Sequence, residues 1–419
     1  MEKTLLASVQ LKTDHSGWTI ADIASEMEEL AVSAGALVVY NLIAICDKPT
    51  PNYFVGRGKL EEIGMLAREE QADLVIFSCD LSGTQQRNIE QFLGLKTIDR
   101  TQLILDIFSR RASSPEGSMQ VELAQLEYLL PRLSGKGVML SRLGGGIGTR
   151  GPGEQKLEVD RRQIRKRVAK LKQQLKQFSL HRQNTKKRRK DNNLPSVVLV
   201  GYTSAGKSTL LNTLTLGEQL TSEKLFTTLD PVSKSLKLGN GQIVVISDTV
   251  GFLHQLPHHL IDAFKATLEE TLDADLLIHV LDAFDGRIEQ HNQAVFDVLK
   301  ELGIEDKPVV TVLNKIDLFS DSDALKRILE EYPEAIPLSA KTKENLGLLL
   351  KSIEKVFAAR MRDVRLLLEH NRMDLVDLFY RQARVNSIKY KPEGIDIKLT
   401  IPEALYRKIS GERGVRGIC

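Results

Sequence analysis

The sequence predicts a multidomain α/β protein: a small α/β domain (1–115), an antiparallel helical hairpin (116–192), a larger phosphate-binding α/β domain (196–358), and a small C-terminal α+β module (361–419). Three observations carry this reading. Apolar runs alternate with amphipathic stretches in the first quarter of the chain, the pattern of strands and helices in a mostly parallel sheet. Two helical periodicities flank a loop that holds eight of the chain's 29 glycines, from Gly135 to Gly153. An apolar strand at Ser196–Val200 then runs into a glycine-spaced loop ending in Lys207 and Ser208.

At 419 residues the chain exceeds what one core usually organises. No stretch approaches the ~18 apolar residues of a membrane span, and no signal-peptide core follows Met1. Cys46, Cys79 and Cys419 are odd in number and lack metal-ligand spacing. A cytoplasmic location is therefore expected, and the protein is expected to be monomeric. The charge is uneven: Lys156 to Lys190 holds 15 Lys and Arg against Glu158 and Asp160, a net +13. The rest of a chain whose total is +3 then carries −10, so a basic arm on an acidic body points to a polyanion, nucleic acid first.

In chain order, the apolar run from Leu37 to Cys46 reads as a buried strand, and Leu74–Cys79 as a second; Lys59–Glu69 and Gln85–Leu93 read as helices between and after them. Trp18 is expected in this core. Ser118–Leu130 reads as a helix closed by Pro131. Beyond the glycine-rich loop, Ile164, Val168, Leu171, Leu175 and Phe178 step by three and four along a helix of roughly 30 residues. Lys186–Asn193 reads as a linker closed by Pro195. After Met361 a last helix and a hairpin (Val385–Tyr390, Ile395–Thr400) are expected.

The loop Gly201, Tyr202, Thr203, Ser204, Ala205, Gly206, Lys207, Ser208 fits Gly-x4-Gly-Lys-Ser, with a strand before it and a helix after it. Its N–H groups are expected to cradle phosphates, Lys207 to reach the β- and γ-phosphates, and Ser208 to ligate Mg²⁺. Base choice falls to Asn314, Lys315, Ile316 and Asp317 after the strand Val309–Leu313. A carboxylate at Asp317 accepts from guanine N1–H and the 2-amino group, whereas adenine would leave it unpaired. Asn314 is expected to brace the loop, the Lys315 stem to cover the base, and a backbone N–H in Ser339, Ala340, Lys341 to meet guanine O6. Asp248, Thr249, Val250 and Gly251 end the strand Ile243–Ile246, which pairs with Ser235–Leu238. There Asp248 would hold Mg²⁺ through water and the Gly251 N–H would meet the γ-phosphate. Phe226, Thr227, Thr228, Leu229 and Asp230 fall where a threonine must close over Mg²⁺ and γ-phosphate; Thr228 is favoured and Thr227 is the alternative. Lys207, Thr228 and Gly251 are thus the candidate catalytic residues of a P-loop GTPase domain with GTP as substrate and GDP as product.

Further strings fix a family resemblance: Val55–Glu62, Gln85–Asn88, Ile98–Thr101, Val121–Arg132, Gly145–Glu154 and Leu157–Arg162, together with Phe226–Asp230 and Asp248–Phe252. In this order they resemble the HflX family of ribosome-associated GTPases over most of the chain. The resemblance implies engagement of the large ribosomal subunit, with splitting or rescue of stalled ribosomes as the output. The charge agrees: Arg142 and Arg150 at the tip and Arg161, Arg162, Arg165 and Lys166 on the arm suit rRNA phosphates. The tip carries no aromatic for stacking on bases.

Two departures bear on mechanism. Phe252 stands where many switch GTPases carry a glutamine that orients the attacking water, a habit the family shares. Slow hydrolysis alone, stimulated by ribosomes, is expected. Ser204 replaces the asparagine common among relatives, which puts K⁺ stimulation in doubt. His254, His258 and His259 are read as partly exposed switch residues, and Glu269 and Glu270 as surface. Rival readings are a signalling switch whose arm binds a protein and an RNA-remodelling NTPase; the latter finds no second P-loop in residues 1–150, only Gly56, Arg57, Gly58 and Lys59.

Overall fold

The computed structural model describes residues 1–14, 17–133, 152–191, 194–215, 232–254, 270–304, 306–410, 412 and 414–417. It divides into two compact units; among the described residues, the first ends at Ser179 and the second begins at Leu180.

The first unit is built on a parallel sheet of β1 (Lys3–Leu11), β2 (Leu37–Cys46), β3 (Leu74–Phe77) and β4 (Lys96–Asp99), in the order β2-β1-β3-β4. Helices α1 (Ile20–Ser33), α2 (Arg57–Glu69), α3 (Gly83–Leu93) and α4 (Arg100–Arg111) connect and cover it. Thr19 and Ser82 start α1 and α3 with reciprocal capping boxes to Asp22 and Gln85. Leu5, Leu60, Ile63, Val75 and Phe77 form a core without exposed surface, and Trp18 is buried as expected.

Sequence reading passes over β1, the strand on which the order turns. It also misplaces β2. The run from Leu37 to Cys46 is an edge strand, not a buried one, and Ile43 and Ile45 stand 48% and 57% exposed. An apolar run reports only that its residues are apolar; which strand takes the centre is decided by the crossovers.

The hairpin's first helix, α5, runs Pro115–Arg132, longer at both ends than expected. Ser114 caps it by accepting from the Gly117 N–H, with Pro115 at the first turn, where its missing N–H costs nothing. Pro131 lies inside the last turn rather than closing the helix. The second helix, α6, spans 40 residues, Pro152–Asp191, so the stretch 186–191 read as linker is helical. Its Lys, Arg and Gln are good helix formers, and beyond Pro152 and Gly153 at its start no Gly or Pro interrupts them. The apolar stripe is as expected: Leu171 is fully buried, and Ile164, Val168, Leu175 and Phe178 are half-buried. Ion pairs Arg167–Glu122 (2.6 Å) and Lys172–Glu127 (2.8 Å) join α6 to α5, but both are largely solvated and contribute little. The glycine-rich tip, with Arg142 and Arg150, lies outside the described residues.

The second unit contains a six-stranded sheet of β5 (Ser196–Val200), β6 (Val232–Lys237), β7 (Ile243–Asp248), β8 (Leu276–Asp282), β9 (Val309–Asn314) and β10 (Ile336–Pro337). Its order is β10-β9-β8-β5-β7-β6, parallel except where β6 turns back on β7. Helices α7 (Lys207–Thr215), α8 (Ile288–Glu301), α9 (Ser322–Glu331) and α10 (Leu346–Phe357) belong to this domain. Leu210, Leu211, Val244, Ile278, Leu349 and Ile353 are fully buried in one shared core.

Beyond it, β11 (Met361–Leu368), α11 (Met373–Gln382), β12 (Arg384–Lys391), β13 (Gly394–Pro402), α12 (Glu403–Ile409) and β14 (Val415–Gly417) form an antiparallel sheet ordered β12-β13-β11-β14. The predicted hairpin is β12–β13, paired from Lys391–Gly394 onward. β11 and β14, however, are strands that sequence reading did not place.

The β6–β7 turn sits on this module. Gly241, at φ +82°, packs so closely that an added Cβ would lie 2.5 Å from the Ala383 carbonyl carbon and 2.7 Å from Arg384 N. Lys237 Nζ donates to Tyr380 O at 3.1 Å and Asn240 N to Glu354 at 3.1 Å. Gly241→Ala combines a left-handed backbone with an overlap that only backbone shift relieves. A loss of about 2–4 kcal/mol is expected in urea unfolding, against under 0.5 kcal/mol for a substitution at exposed Asn371.

His279, in the middle of β8, is fully buried, edge-on to the Phe296 ring at 5.2 Å. Neither ring nitrogen has a hydrogen-bond partner among the described residues, and burial pushes its pKa down to about 4, with the Lys207 charge adding to the effect. A neutral imidazole is therefore built into the fold. Between pH 6.5 and 4 the unfolded chain binds the proton that the folded one refuses, so stability rises with pH through that window and is flat above it. By pH 5 the cost is about 2 kcal/mol. His279→Leu should narrow the stability difference between pH 7 and pH 5 by that amount in urea titrations.

Candidate nucleotide site

β5 is central in the sheet, and its carboxyl end delivers the loop 201–206 to the N-terminus of α7. Such strand ends are where open α/β sheets bind ligands. Gly206 holds φ +94°, and a Cβ there would lie 2.2 Å from Asn314 Nδ2, so only glycine fits. Ser204, at φ +60°, takes the same left-handed region with an exposed side chain.

Lys207 is 6% exposed and folds back over the loop, donating to Gly201 O at 3.0 Å and Tyr202 O at 2.7 Å. Desolvation pulls its pKa down to about 8, against the attraction of Asp248. An anion in the loop would restore the ammonium its missing counter-charge. Ser208 Oγ donates to Asp248 Oδ2 at 2.5 Å, which brings two hard oxygen donors together from α7 and the end of β7. Thr249 is anchored by a hydrogen bond to Leu199 O at 2.7 Å.

The chain after Asp248 stays laced to the loop. Phe252 N donates to Gly201 O at 3.1 Å, and Thr203 N donates to Phe252 O at 3.0 Å. The Phe252 side chain is buried, so neither its chemistry nor its position serves to orient water in this conformation. His254 is partly exposed, and its backbone N–H donates to Tyr202 Oη at 2.9 Å. The Tyr202 ring in turn stacks on His291 of α8 at 3.8 Å and 10°, with Asp285 Oδ2 3.8 Å from His291 Nδ1. This Tyr202–His291–Asp285 set escaped sequence reading because no spacing joins the loop to α8. Glu270 is half-buried, accepting from Ser233 at 3.3 Å. Phe226–Asp230, His258, His259 and Glu269 lie outside the described residues.

The base-side residues converge through one amide. Asn314, 2% exposed at the end of β9, donates from Nδ2 to Ala205 O at 2.8 Å and accepts at Oδ1 from Ala340 N at 3.0 Å. It thereby ties the phosphate loop to the Ser339–Lys341 loop. Ser339 is fully buried and caps its own loop by accepting from Thr342 N, while Lys341 is exposed. Lys315 takes φ +68° and pairs with Asp282 at 2.6 Å, which fixes its stem beside the loop. Ile316 is buried, and half-buried Asp317 sits in the short 3₁₀ turn Ile316–Leu318. Of the predicted arm residues, Arg162, Arg165 and Lys166 are exposed and Arg161 half-buried on α6.

A strand–loop–helix with a buried lysine, a Ser–Asp oxygen pair and an asparagine-linked base loop, on a sheet of this order, defines a P-loop GTPase. Models of the "GTP-binding GTPase N-terminal" region, the "GTP-binding GTPase Middle Region" and a "50S ribosome-binding GTPase" match residues 22–109, 111–189 and 196–315. The GTPase HflX of Caldanaerobacter subterraneus subsp. tengcongensis is 45% identical over 377 residues, covering 90% of this chain and 87% of that one. That of Escherichia coli K12 is 38% identical over 386 residues, covering 92% and 91%. A GTP-binding protein from Sulfolobus solfataricus, solved with GDP, is 25% identical with TM-score 0.44, covering 86% and 99%. The chain belongs to the HflX family of GTPases.

Proposed function

We propose that this chain is a Mg²⁺-dependent GTP hydrolase that binds the large ribosomal subunit, turns over slowly alone, is stimulated there, and splits or rescues stalled ribosomes. The observation that carries the GTP reading is the double hydrogen bond of Asn314, which sets the Asp317 turn at a fixed place relative to the phosphate loop. In this reading the N–H groups of 201–208 and the Lys207 ammonium take the phosphates. Asp317 takes guanine N1–H and the 2-amino group, and an N–H in Ser339–Lys341 takes O6. Ser208 and, through water, Asp248 hold Mg²⁺ with Thr228; the Ser208–Asp248 oxygen pair fits that hard cation. Bound there, Mg²⁺ would neutralise charge on the transferring phosphoryl group. Gly251 N–H serves the γ-phosphate once the Phe252 bridge to the loop is released.

The ribosomal part is supported by the +13 arm and by the name of the family model that matches residues 196–315, a "50S ribosome-binding GTPase". Arg142, Arg150, Arg161, Arg162, Arg165 and Lys166 are the proposed rRNA contacts. The test is co-sedimentation with purified large and small subunits under a GTP analogue, GDP and no nucleotide. Binding to the large subunit that strengthens with the analogue is expected; equal or no binding in all three states would refute the ribosomal reading and leave the GTPase assignment standing.

A further inference from the structure

The C-terminal module has no part in the nucleotide site, and none of the matching family models reaches it; the last of them ends at residue 315. Its sheet is two-faced. Leu366, Leu368, Ile395, Ile397, Leu399 and Ile401 point into the core shared with Leu375, Val376 and Phe379 of α11 and Ile409 of α12. Strand alternation puts Arg365, Lys398 and Asp396 on the opposite face, and register places Arg365 beside Lys398, Lys389 beside Asp396, and Arg416 beside Leu367. Arg384 and Lys391 share that face, opposite Thr400 and Gly394.

The charge is sorted between the layers. Over 361–417 there are 12 Lys and Arg against eight Asp and Glu, a net +4. The open face holds Arg365, Arg384, Lys389, Lys391, Lys398 and Arg416 against Asp363 and Asp396, so it accounts for the whole excess and the remainder of the module is neutral. Asp396 is already used by Arg365 and Lys391, both at 2.7 Å, and Asp363 accepts from Thr400 at 2.5 Å. Among the described residues Arg384, Lys389, Lys398 and Arg416 have no acidic partner. A groove of about 540 Å³ opens where Arg362, Arg365, Asn386, Lys398 and Tyr406 meet.

We infer that this open face is a second RNA-binding surface, distinct from the basic arm and independent of the ribosomal reading. Four cations without partners on one flat layer, across neighbouring strands, suit a chain of phosphates rather than a single anion. RNA-reading sheets of this size stack bases on aromatic side chains. Here the face residues are mostly charged or small, with Met361 and Leu367 as its large apolar side chains and no aromatic on the paired strands of that face, so binding through phosphates without sequence preference is expected.

The test uses the full-length protein with a 4-thiouridine-substituted RNA of about 20 nucleotides, longer than the ~4–16 nucleotides a small domain covers. After irradiation, crosslinked peptides are mapped by mass spectrometry. Crosslinks are expected in peptides spanning 384–398 as well as along the arm. In Lys398→Ala the log–log dependence of the 384–398 yield on KCl should flatten by about 0.7, and in K389A/K398A those crosslinks should disappear while the arm's persist. Urea unfolding of both variants is run alongside, since exposed lysines leave it unchanged. Absence of crosslinks in 361–417, or yields that ignore both lysines, would overturn the inference. So would retention on poly-glutamate that needs Lys389 and Lys398 without RNA crosslinking, which would mark an acidic protein surface instead. Failure of subunit co-sedimentation would sink the ribosomal reading while leaving these crosslinks in place.

Discussion

Asp317→Ala should weaken GDP binding about 10³-fold while leaving unfolding almost unchanged. Asp317 is half-buried in a 3₁₀ turn, and the backbone around it is held by Asn314 rather than by its own carboxylate. In the proposed guanine contact, removing it would delete two charge-assisted hydrogen bonds, each worth about 1.5–3 kcal/mol. Asp317→Asn makes a sharper version. The amide can accept from N1–H, but its NH₂ meets the guanine 2-amino group donor to donor. Xanthine carries an oxygen there, so the variant should prefer XDP to GDP and invert the wild-type order. Fluorescence titration with labelled GDP, XDP and ADP reads all three. A variant that binds GDP as the wild type does would remove Asp317 from the site.

Asp99→Ala should cost the first unit about 3–5 kcal/mol and leave nucleotide affinity within twofold. Asp99 is fully buried and accepts four hydrogen bonds: from Leu81 N (3.1 Å), Gln102 N (2.9 Å), Tyr128 Oη (2.7 Å) and Arg132 Nη2 (3.0 Å). Arg132 also donates to Leu81 O at 2.6 Å and lies over the Tyr128 ring at 3.4 Å. The carboxylate thus joins β4 and α4 to the far end of α5. Burial and the Asp99 charge raise the Tyr128 pKa, so the phenol stays a donor. Deleting the carboxylate strands a guanidinium and a phenol in a dry joint. Asp99→Asn keeps the shape and two acceptor lone pairs and should cost about half as much. Urea unfolding monitored through Trp18 in the first unit reads the loss, and nucleotide titration in the second checks its confinement.

That joint also explains motifs that sequence reading used only as family markers. Ile98–Thr101 contains Asp99, Arg100, which pairs with buried Glu26 at 2.9 Å, and Thr101, which donates to Asp80 at 2.5 Å. Val121–Arg132 contributes Tyr128 and Arg132. The phosphate loop and the base loop were legible because each has a backbone requirement that narrows residue choice at fixed spacing: glycine against Asn314 at position 206, and an amide facing two loops at 314. Nothing local marks Tyr202 and His291 as neighbours, or Asp99 and Tyr128; tertiary contacts 89 and 29 residues apart leave no period to find. Strand β11 was missed for a related reason. Met361–Leu368 mixes charged and apolar residues, because Asp363 and Arg365 lie on the open face of its sheet. Pro131 misled in the other direction: it sits one residue before the end of α5, so the helix loses one backbone hydrogen bond to the preceding turn and has no further turn to disrupt.

Hydrolysis by this chain is expected to depend on a partner, because Phe252 is buried against the phosphate loop where many switch GTPases carry a water-orienting glutamine. Single-turnover hydrolysis of GTP by the full chain, with and without purified large ribosomal subunits, tests it most directly. A slow intrinsic rate that rises about 10²-fold or more with large subunits is predicted, in the range that completing a transition-state contact supplies. Equal rates in the two conditions would contradict it.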